Sequence, residues 1–186
     1  MIVHTIGHST RTTGELVELL REGAVDLVAD VRRFPRSRTN PQFNAEALGP
    51  TLQKDGIGYR HLPALGGRRS AAGDKVPSRN TLWREAAFRA YSDYAETDEF
   101  RVGFEALLDL AGEHKVAIMC AEAAWWRCHR RIVADYLMAR GVEVRHILGP
   151  GKIEPAKLTP GAVVEAEGKG KVAYRDPQQG PRLPGI

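Results

Sequence analysis

The sequence predicts an α/β fold, namely a three-layer Rossmann-like sandwich with a mostly parallel sheet of about five strands and an irregular Pro/Gly-rich C-terminal tail. Two observations support this class. Short apolar runs typical of buried strands, such as residues 25–31 and 116–119, alternate with segments whose apolar residues recur at helical spacing. The apolar runs at residues 2–6 and 25–31 are separated by a predicted helix, and a strand–helix–strand unit places its strands parallel.

The period of the apolar residues predicts where the elements lie. Strands are expected at residues 2–6, 25–31, 57–62, 116–119 and 142–148. Helical segments are expected at residues 13–23, 45–54, 82–111 and 128–141. Thr12 and Glu15 form a capping box for the first helix, and Asn44 is a candidate cap for the second, although Pro50 is unfavourable inside it. The third segment is interrupted near Thr97.

Length and composition indicate one domain of ordinary size with an appendage, since 186 residues with 42% hydrophobic content can bury a sizeable core. We expect an α/β domain at residues 1–149 and a C-terminal extension at 150–186. Within the extension, residues 162–166 and 171–174 predict a small hairpin, followed by a flexible arm. Residues 70–79, rich in glycine, proline and charge, are expected to be mobile.

Charge and cysteine content indicate a cytoplasmic protein without membrane association. No apolar run approaches membrane-spanning length, no signal-peptide pattern is present, and two cysteines do not make a disulfide framework. The net charge of +4 tolerates a small anionic ligand, a nucleotide or nucleic acid without demanding one. No G-x-G-x-x-G motif follows the first strand, so a dinucleotide is not indicated and any cofactor stays unknown. A homodimer is compatible with the sequence.

Polar motifs follow the predicted strands. Gly-His-Ser follows the first strand, Asp-Val-Arg the second, His-Leu-Pro the third and Cys-Ala-Glu the fourth, and His146 lies within the fifth. Because parallel strands end at one edge, where open α/β proteins bind ligands, we predict a single site there. The alternative is that the glycines and prolines only shape turns while the polar residues cap helices.

Two carboxylates at strand ends, Asp30 and Glu122, are the candidate general acid or base, with His8 or His129 assisting. For Asp30 an equally weighted alternative is a structural salt bridge to Arg32 or Arg130.

Guanidinium groups are suited to an anion, because they bind phosphate or carboxylate through two parallel hydrogen bonds. The candidate anion- and substrate-binding residues are Ser9, Arg32, Arg36, Ser37, Arg38, His61, Trp126 and Arg130. Four other arginines, Arg33, Arg68, Arg69 and Arg131, are expected in solvent. Of the tryptophan pair at residues 125–126, one is expected to be buried and the other exposed.

Cys128 is a candidate nucleophile or redox group, because it begins a helix whose dipole lowers the pKa of a thiol. Cys120 ends an apolar strand and is expected to be inert in the core. A phosphatase loop is excluded, since Arg127 lies one residue too far from Cys120. Both cysteines, with His129 and His8 or His61, are competent zinc ligands, but their spacing matches no close metal motif and no metal ligand is assigned.

The ordered set of motifs resembles the DUF488 family, a group of bacterial and archaeal proteins. The matching stretches are TIGHS at residues 5–9, DVR with its following Pro-x-Ser-Arg at 30–38, YRHLPALGG at 59–67, and CAE and CHR at 120–122 and 128–130. They span residues 2–148 in the expected order, and they are specific as a set rather than singly. One departure is the Trp-Trp pair between CAE and CHR, where family members are more polar. The resemblance implies an α/β sandwich and no established reaction.

Three functions are compatible with these patterns. The first is an enzyme acting on an anionic, nucleotide-like or nucleic-acid-derived substrate at the carboxyl edge of the sheet. The second is a non-catalytic module that binds a nucleotide or another anion at the same edge. The third is a metal- or thiol-dependent protein that uses Cys128.

Overall fold

The computed structural model describes residues 1–69, 78–165 and 170–176. Within these ranges six strands form one sheet: β1 (Ile2–Gly7), β2 (Leu27–Asp30), β3 (Gly58–His61), β4 (Val116–Cys120), β5 (Glu143–Gly149) and β6 (Lys152–Pro155). Their order across the sheet is β3-β2-β4-β1-β5-β6. The strands β1 to β5 run parallel and β6 runs antiparallel to β5. The predicted α/β class is confirmed.

Helices cover both faces of the sheet: α1 (Thr13–Glu22), α2 (Ala45–Lys54), α3 (Ala86–Tyr94), α4 (Asp98–Glu113) and α5 (Arg130–Ala139). The predicted capping box of Thr12 and Glu15 is present at the start of α1. Helix α2 continues through Pro50, because Leu48 and Leu52 are fully buried and that burial offsets the lost backbone hydrogen bond. Helix α3 begins four residues later than position 82, where the prediction placed it.

The core has two halves, one on each face of the sheet. Strand β4 supplies Ile118 and Cys120 to the half that contains α4 and α5, and Ala117 and Met119 to the half that contains α1 and α2. Every residue of β4 is therefore buried, which explains why its sequence is an uninterrupted apolar run. Because β4 lies at the centre of the sheet, its carboxyl end opens toward the motifs of both neighbouring strands.

The C-terminal segment adds one strand and one hairpin. Strands β7 (Ala162–Glu165) and β8 (Lys171–Tyr174) pair antiparallel, as predicted. Strand β6 was not predicted, because it is short, largely exposed and ends in proline, so it has no alternating pattern. It extends the main sheet past residue 149, and the division into two units at that position stays a prediction. The expectations for residues 70–77, 166 and 177–186 lie outside the described residues.

The hairpin is held on α5 by a buried aspartate. The carboxylate of Asp135 accepts the backbone N–H of Thr159 at 2.9 Å and the Tyr174 hydroxyl at 2.8 Å. Tyr174 itself is fully buried against the half of the core that contains α5. The C-terminal segment is thus joined to the sheet by a polar contact as well as by apolar packing.

Replacing this aspartate should destabilise the protein. Asp135→Ala leaves two buried donors without an acceptor, and we expect the free energy of unfolding to fall by about 1–3 kcal/mol in urea denaturation. Asp109→Ala, at an exposed position on α4, is the matched control and should change the same quantity by less than about 0.5 kcal/mol. Equal effects of the two substitutions would show that the Asp135 contacts do not hold the hairpin.

Candidate functional site

The ends of the central strands meet at one edge of the sheet, as the motif spacing predicts. The pairing of β1 with β4 continues past both strands, because His8 N donates to Cys120 O and Ser9 N donates to Ala121 O, each at 2.9 Å. On the other side of β4, Val31 N donates to Met119 O at 3.0 Å. The Gly-His-Ser, Asp-Val-Arg and Cys-Ala-Glu motifs are therefore neighbours in space.

Two glycines make room for other chain segments, one in the Gly-His-Ser motif and one at the end of the stretch at residues 59–67. A Cβ atom at Gly7 would lie 1.9 Å from the carbonyl oxygen of Glu122, so only glycine lets the loop after β4 cross the end of β1. A Cβ atom at Gly67 would lie 2.6 Å from Nδ1 of His129. Both motifs are thus packed directly against the segment that joins β4 to α5.

Asp30 is the centre of a buried polar cluster. Its carboxylate accepts Arg32 Nε at 2.9 Å, the backbone N–H of Arg32 at 3.0 Å and the Tyr59 hydroxyl at 2.7 Å. Arg32 also donates to the carbonyl oxygen of Phe43 at 2.7 Å. Of the two alternatives for Asp30, the structure therefore contains the salt bridge to Arg32. With its oxygens occupied and its side chain fully buried, Asp30 positions Arg32.

His8 lies in the wall of the site with both ring nitrogens engaged. Its Nδ1 donates to Ser9 O at 2.9 Å, and its Nε2 accepts Arg32 Nη1 at 3.2 Å. The ring also stacks on Phe43 at a centroid distance of 4.2 Å. Burial lowers the pKa of His8 to about 4, so the ring is neutral at pH 7. A catalytic role for His8 stays a prediction.

Arg130 extends into the protein beneath the loop after β4, and only 1% of its surface is exposed. One guanidinium nitrogen, Nη2, donates to the carbonyl oxygens of Glu122 and Ala123. The Nε donates to Cys128 Sγ at 3.2 Å. The guanidinium expected to bind a substrate anion thus points at a thiol and at the backbone of its own loop.

The two cysteines are in contact, with Cys120 Sγ 3.3 Å from Cys128 Sγ. Burial raises the pKa of Cys120 well above its usual value. Burial also acts to raise the pKa of Cys128, but the hydrogen bond from Cys120 and the charge of Arg130 outweigh it, so this pKa lies well below its usual value. Cys128 is therefore the more acidic sulfur of the pair.

His129 lies between the thiol pair and β2. Its Nε2 donates to Val31 O at 2.8 Å, which leaves Nδ1 without a proton in the neutral ring. Burial lowers the pKa of His129, so the neutral form is the one present at pH 7. A catalytic role for this residue also stays a prediction.

A cleft of about 310 Å³ opens at this edge of the sheet. Cys128 lies at its floor with 7% of its surface exposed. Three exposed arginines, Arg33, Arg36 and Arg68, line it, and Arg33 Nη1 donates to Arg68 O at 3.0 Å. Arg68 has a φ of 58°, a conformation that non-glycine residues rarely adopt and that is often found at functional sites. The cleft is therefore electropositive around a thiolate.

The structure brings together about half of the predicted site residues. Those that line the cleft are His8, Arg32, Arg36, Ser37, Glu122, Cys128 and His129. Those that do not are Ser9, Asp30, Arg38, His61, Trp126 and Arg130. His61 instead donates from Nε2 to Arg32 O at 2.7 Å. Trp126 is 50% exposed, as expected, but Trp125 stacks on His146 and is only partly buried, so the expectation of one buried tryptophan is wrong.

Other lining residues were not predicted, namely Arg33, Phe34, Gly67, Arg68, Cys120 and Ala121. The sequence did contain a signal for Cys120. Side chains alternate along β4, and this alternation places Cys120 on the face of the sheet that carries α5, near Cys128. The expectation that Arg69 and Arg131 lie in solvent is wrong. The Arg69 guanidinium lies 3.6 Å from the centroid of the Tyr94 ring, and Arg131 lies over Trp83. Cation–π contacts of this kind cannot be inferred from spacing.

The fold and the site define an α/β sandwich protein with a buried thiol pair at the floor of an arginine-lined cleft. The chain belongs to the family described as "Domain of unknown function DUF488", whose model matches residues 12–137. This match confirms the resemblance and includes both cysteines, but it leaves out the Gly-His-Ser motif and His146. No curated protein and no solved structure matches the chain.

Two further findings concern the described ranges of the chain alone. No three histidine, cysteine, aspartate or glutamate side chains there are placed to hold a metal ion together. No helix there has both the length and the apolar character needed to cross a membrane.

The low pKa of Cys128 predicts unusual pH dependence of its reactivity. The rate of alkylation by iodoacetamide should reach its plateau at a lower pH than the rate for an ordinary cysteine, because thiolate is the reacting form. Cys128→Ser should abolish this alkylation reaction. Cys120→Ala should shift it to higher pH, since the hydrogen bond from Cys120 is lost. A single titration near the ordinary thiol pKa of about 8.5 in the native protein would contradict the assignment.

Buried neutral histidines should make the protein sensitive to acid. The pKa of His146, like that of His8, is lowered to about 4 by burial, so the unfolded chain binds protons more readily than the folded one below about pH 6.5. The contribution of these two histidines to the free energy of unfolding should therefore be fully present above pH 6.5 and decrease as the pH falls toward 4. His146→Gln should show a smaller decrease in melting temperature over this range than the native protein. His114→Gln, at an exposed position, should behave like the native protein.

Proposed function

We propose that the protein is an enzyme that uses the Cys128 thiolate as a nucleophile toward a small anionic substrate bound in the arginine-lined cleft. The observation that carries this proposal is the 3.2 Å contact between Arg130 Nε and Cys128 Sγ at the floor of the cleft. Cys128 is next to a guanidinium and lies two residues before the first residue of α5. A cationic neighbour and a helix N-terminus are the usual environment of a reactive cysteine.

The need to compensate a buried charge supports the thiolate. Removing a guanidinium from water costs several kcal/mol unless an anion or several acceptors surround it. The hydrogen-bond acceptors of Arg130 in the described residues are two backbone carbonyls and Cys128 Sγ. Because the sulfur is the acceptor that can carry a full negative charge, Arg130 favours the deprotonated form of Cys128.

The character of the cleft supports an anionic substrate of modest size. Arg33, Arg36 and Arg68 can donate in pairs to a carboxylate or a phosphate, while the charge of Arg32 is balanced by Asp30. A volume of about 310 Å³ is at the lower end of the range for ligand pockets. The ring of Phe34, 66% exposed beside the arginines, offers a flat surface, which keeps nucleotide-like and nucleic-acid-derived compounds within the substrate class.

Glu122 is the carboxylate best placed to transfer protons. It is exposed and lines the same cleft, whereas Asp30 is enclosed by its hydrogen bonds. In nucleophilic catalysis such a group protonates the leaving group and then activates water. We assign Glu122 this role and assign Asp30 to the support of Arg32.

Charge selection by the cleft can be measured without knowing the natural substrate. The ratio of the alkylation rate with the anion iodoacetate to the rate with neutral iodoacetamide should be about tenfold higher for Cys128 than for a free thiol. The reason is that the arginines raise the local concentration of the anion. Arg36→Ala should lower this ratio severalfold. Arg101→Ala, a surface substitution on α4, is the matched control and should leave the ratio unchanged.

The same experiment separates the proposal from its alternatives. Slow alkylation of Cys128 by both reagents would overturn thiol chemistry. Fast alkylation without preference for the anion would overturn the assignment of the arginines. Saturable protection of Cys128 by phosphates or nucleotides, with no turnover of any of them, would favour a non-catalytic binding module.

A further inference from the structure

The second cysteine has no role in simple nucleophilic catalysis, yet it touches the first. Cys120 Sγ lies 3.3 Å from Cys128 Sγ, and both residues line the cleft. The two side chains come from separate elements, since Cys120 ends β4 and Cys128 precedes α5. Both are free thiols in the structure.

The contact is already close to that of a disulfide. A disulfide bond has an S–S length of about 2.05 Å, so the sulfurs must approach by about 1.2 Å. Both sulfurs lie at the carboxyl edge of the sheet, and Cys128 has an extended backbone between a short turn and α5. A movement of this size is within the reach of side-chain rotations about the Cα–Cβ bonds.

We propose that Cys120 and Cys128 form a two-electron redox pair that reduces small hydroperoxides carrying an anionic group. In this reaction Cys128 is the attacking sulfur and Cys120 the resolving one. The inference rests on the proposed use of Cys128 as the nucleophile of the cleft, and it adds the reaction type, the substrate class and the role of Cys120.

The steps balance in atoms and electrons. The Cys128 thiolate attacks the terminal oxygen of R–O–OH, the O–O bond breaks, and Cys128 becomes a sulfenic acid that keeps the hydroperoxide's proton. The alkoxide takes a proton from solvent and leaves as the alcohol. The Cys120 thiol then attacks the sulfur of the sulfenic acid, which forms the disulfide and releases water. A small-molecule dithiol that fits the cleft reduces the disulfide by thiol–disulfide exchange and becomes a disulfide itself.

The asymmetry of the pair suits this order of events. Cys128 receives the hydrogen bond from Arg130 Nε and is the deprotonated sulfur, so it attacks first. Cys120 keeps its proton because burial raises its pKa. The Cys120 thiol lies 3.3 Å from Cys128 Sγ, and it supplies the proton that leaves with the hydroxyl group of the sulfenic acid as water.

The cleft selects the oxidant by size and by charge. With Cys128 only 7% exposed at the floor of a small cleft, a protein disulfide cannot reach the sulfur, whereas a hydroperoxide can. The exposed arginines Arg33, Arg36 and Arg68 attract a carboxylate or phosphate on the same molecule. An anionic hydroperoxide meets both conditions.

Arg130 makes the disulfide easy to reduce again. When the disulfide forms, the buried guanidinium loses the anionic sulfur and keeps only carbonyl acceptors. The reduced state is therefore stabilised relative to the oxidised state, which is the property that makes a disulfide oxidising and short-lived. A bond of this kind suits turnover rather than permanent cross-linking.

The test uses the full chain, a short carboxylate-bearing alkyl hydroperoxide and, as its neutral counterpart, tert-butyl hydroperoxide. Equimolar oxidant should convert the native protein to a species that lacks two hydrogen atoms by mass spectrometry and has no titratable thiol, reversible by dithiothreitol. Cys120→Ser and Cys120→Ala should instead accumulate a Cys128 sulfenic acid that dimedone traps. Unfolding curves of both variants confirm that they are folded. The anionic hydroperoxide should react about tenfold faster than the neutral one, and Arg36→Ala should reduce this ratio severalfold.

The outcomes distinguish this inference from the proposed function. Oxidation of Cys128 to the sulfinic acid while Cys120 stays a free thiol would overturn the redox pair. Equal rates for the two hydroperoxides would overturn the anionic substrate class. If neither cysteine reacts with hydroperoxide while iodoacetate still alkylates Cys128 rapidly, the redox inference fails and the proposed nucleophile stands. If Cys128 reacts with no reagent in the folded protein, both fail.

Discussion

The guanidinium of Arg130 is the group on which the arrangement of the site depends. A buried positive charge must be surrounded by acceptors, and here the chain between β4 and α5 supplies them. The carbonyls of Glu122 and Ala123 turn inward toward the guanidinium, and Cys128 turns its sulfur toward Nε. The absence of a side chain at Gly7 lets this loop lie across the end of β1. One arginine therefore shapes the loop and, together with the hydrogen bond from Cys120, lowers the pKa of Cys128.

A second buried arginine organises the opposite wall. Asp30 holds Arg32 through side-chain and backbone hydrogen bonds, and Arg32 in turn bonds Phe43 O and His8. The charge of this pair is internally balanced, so it adds little net positive charge to the wall. The net positive field of the cleft comes instead from the exposed arginines at its opening. Buried arginines thus position the reactive sulfur, while exposed ones face the solvent from which a substrate arrives.

Much of the fold follows from local patterns. The capping box of Thr12, the extent of α2 and the strand β4 were predicted because each depends on residues close together in the chain. Strand β6 was missed because its few residues are mostly exposed and pair only through the register of β5. In the site, Glu122 and Cys128 were predicted to line one cleft, and they do. Among the arginines, Arg130 was expected to bind the anion but is buried. Arg33 and Arg68 are exposed, as predicted, but they also line the cleft, which was not predicted.

The sequence by itself determined the α/β class and the meeting of the motifs at one edge of the sheet, because periodicity and the rule that strand–helix–strand units run parallel are both local. Membership of the DUF488 family followed from the resemblance of its ordered motifs. Only the tertiary structure decided which arginine is buried and that Cys120 touches Cys128. The direction of a side chain at a strand end depends on elements that are distant in the chain and packed against it. The charge state of a thiol depends in the same way on its neighbours in space.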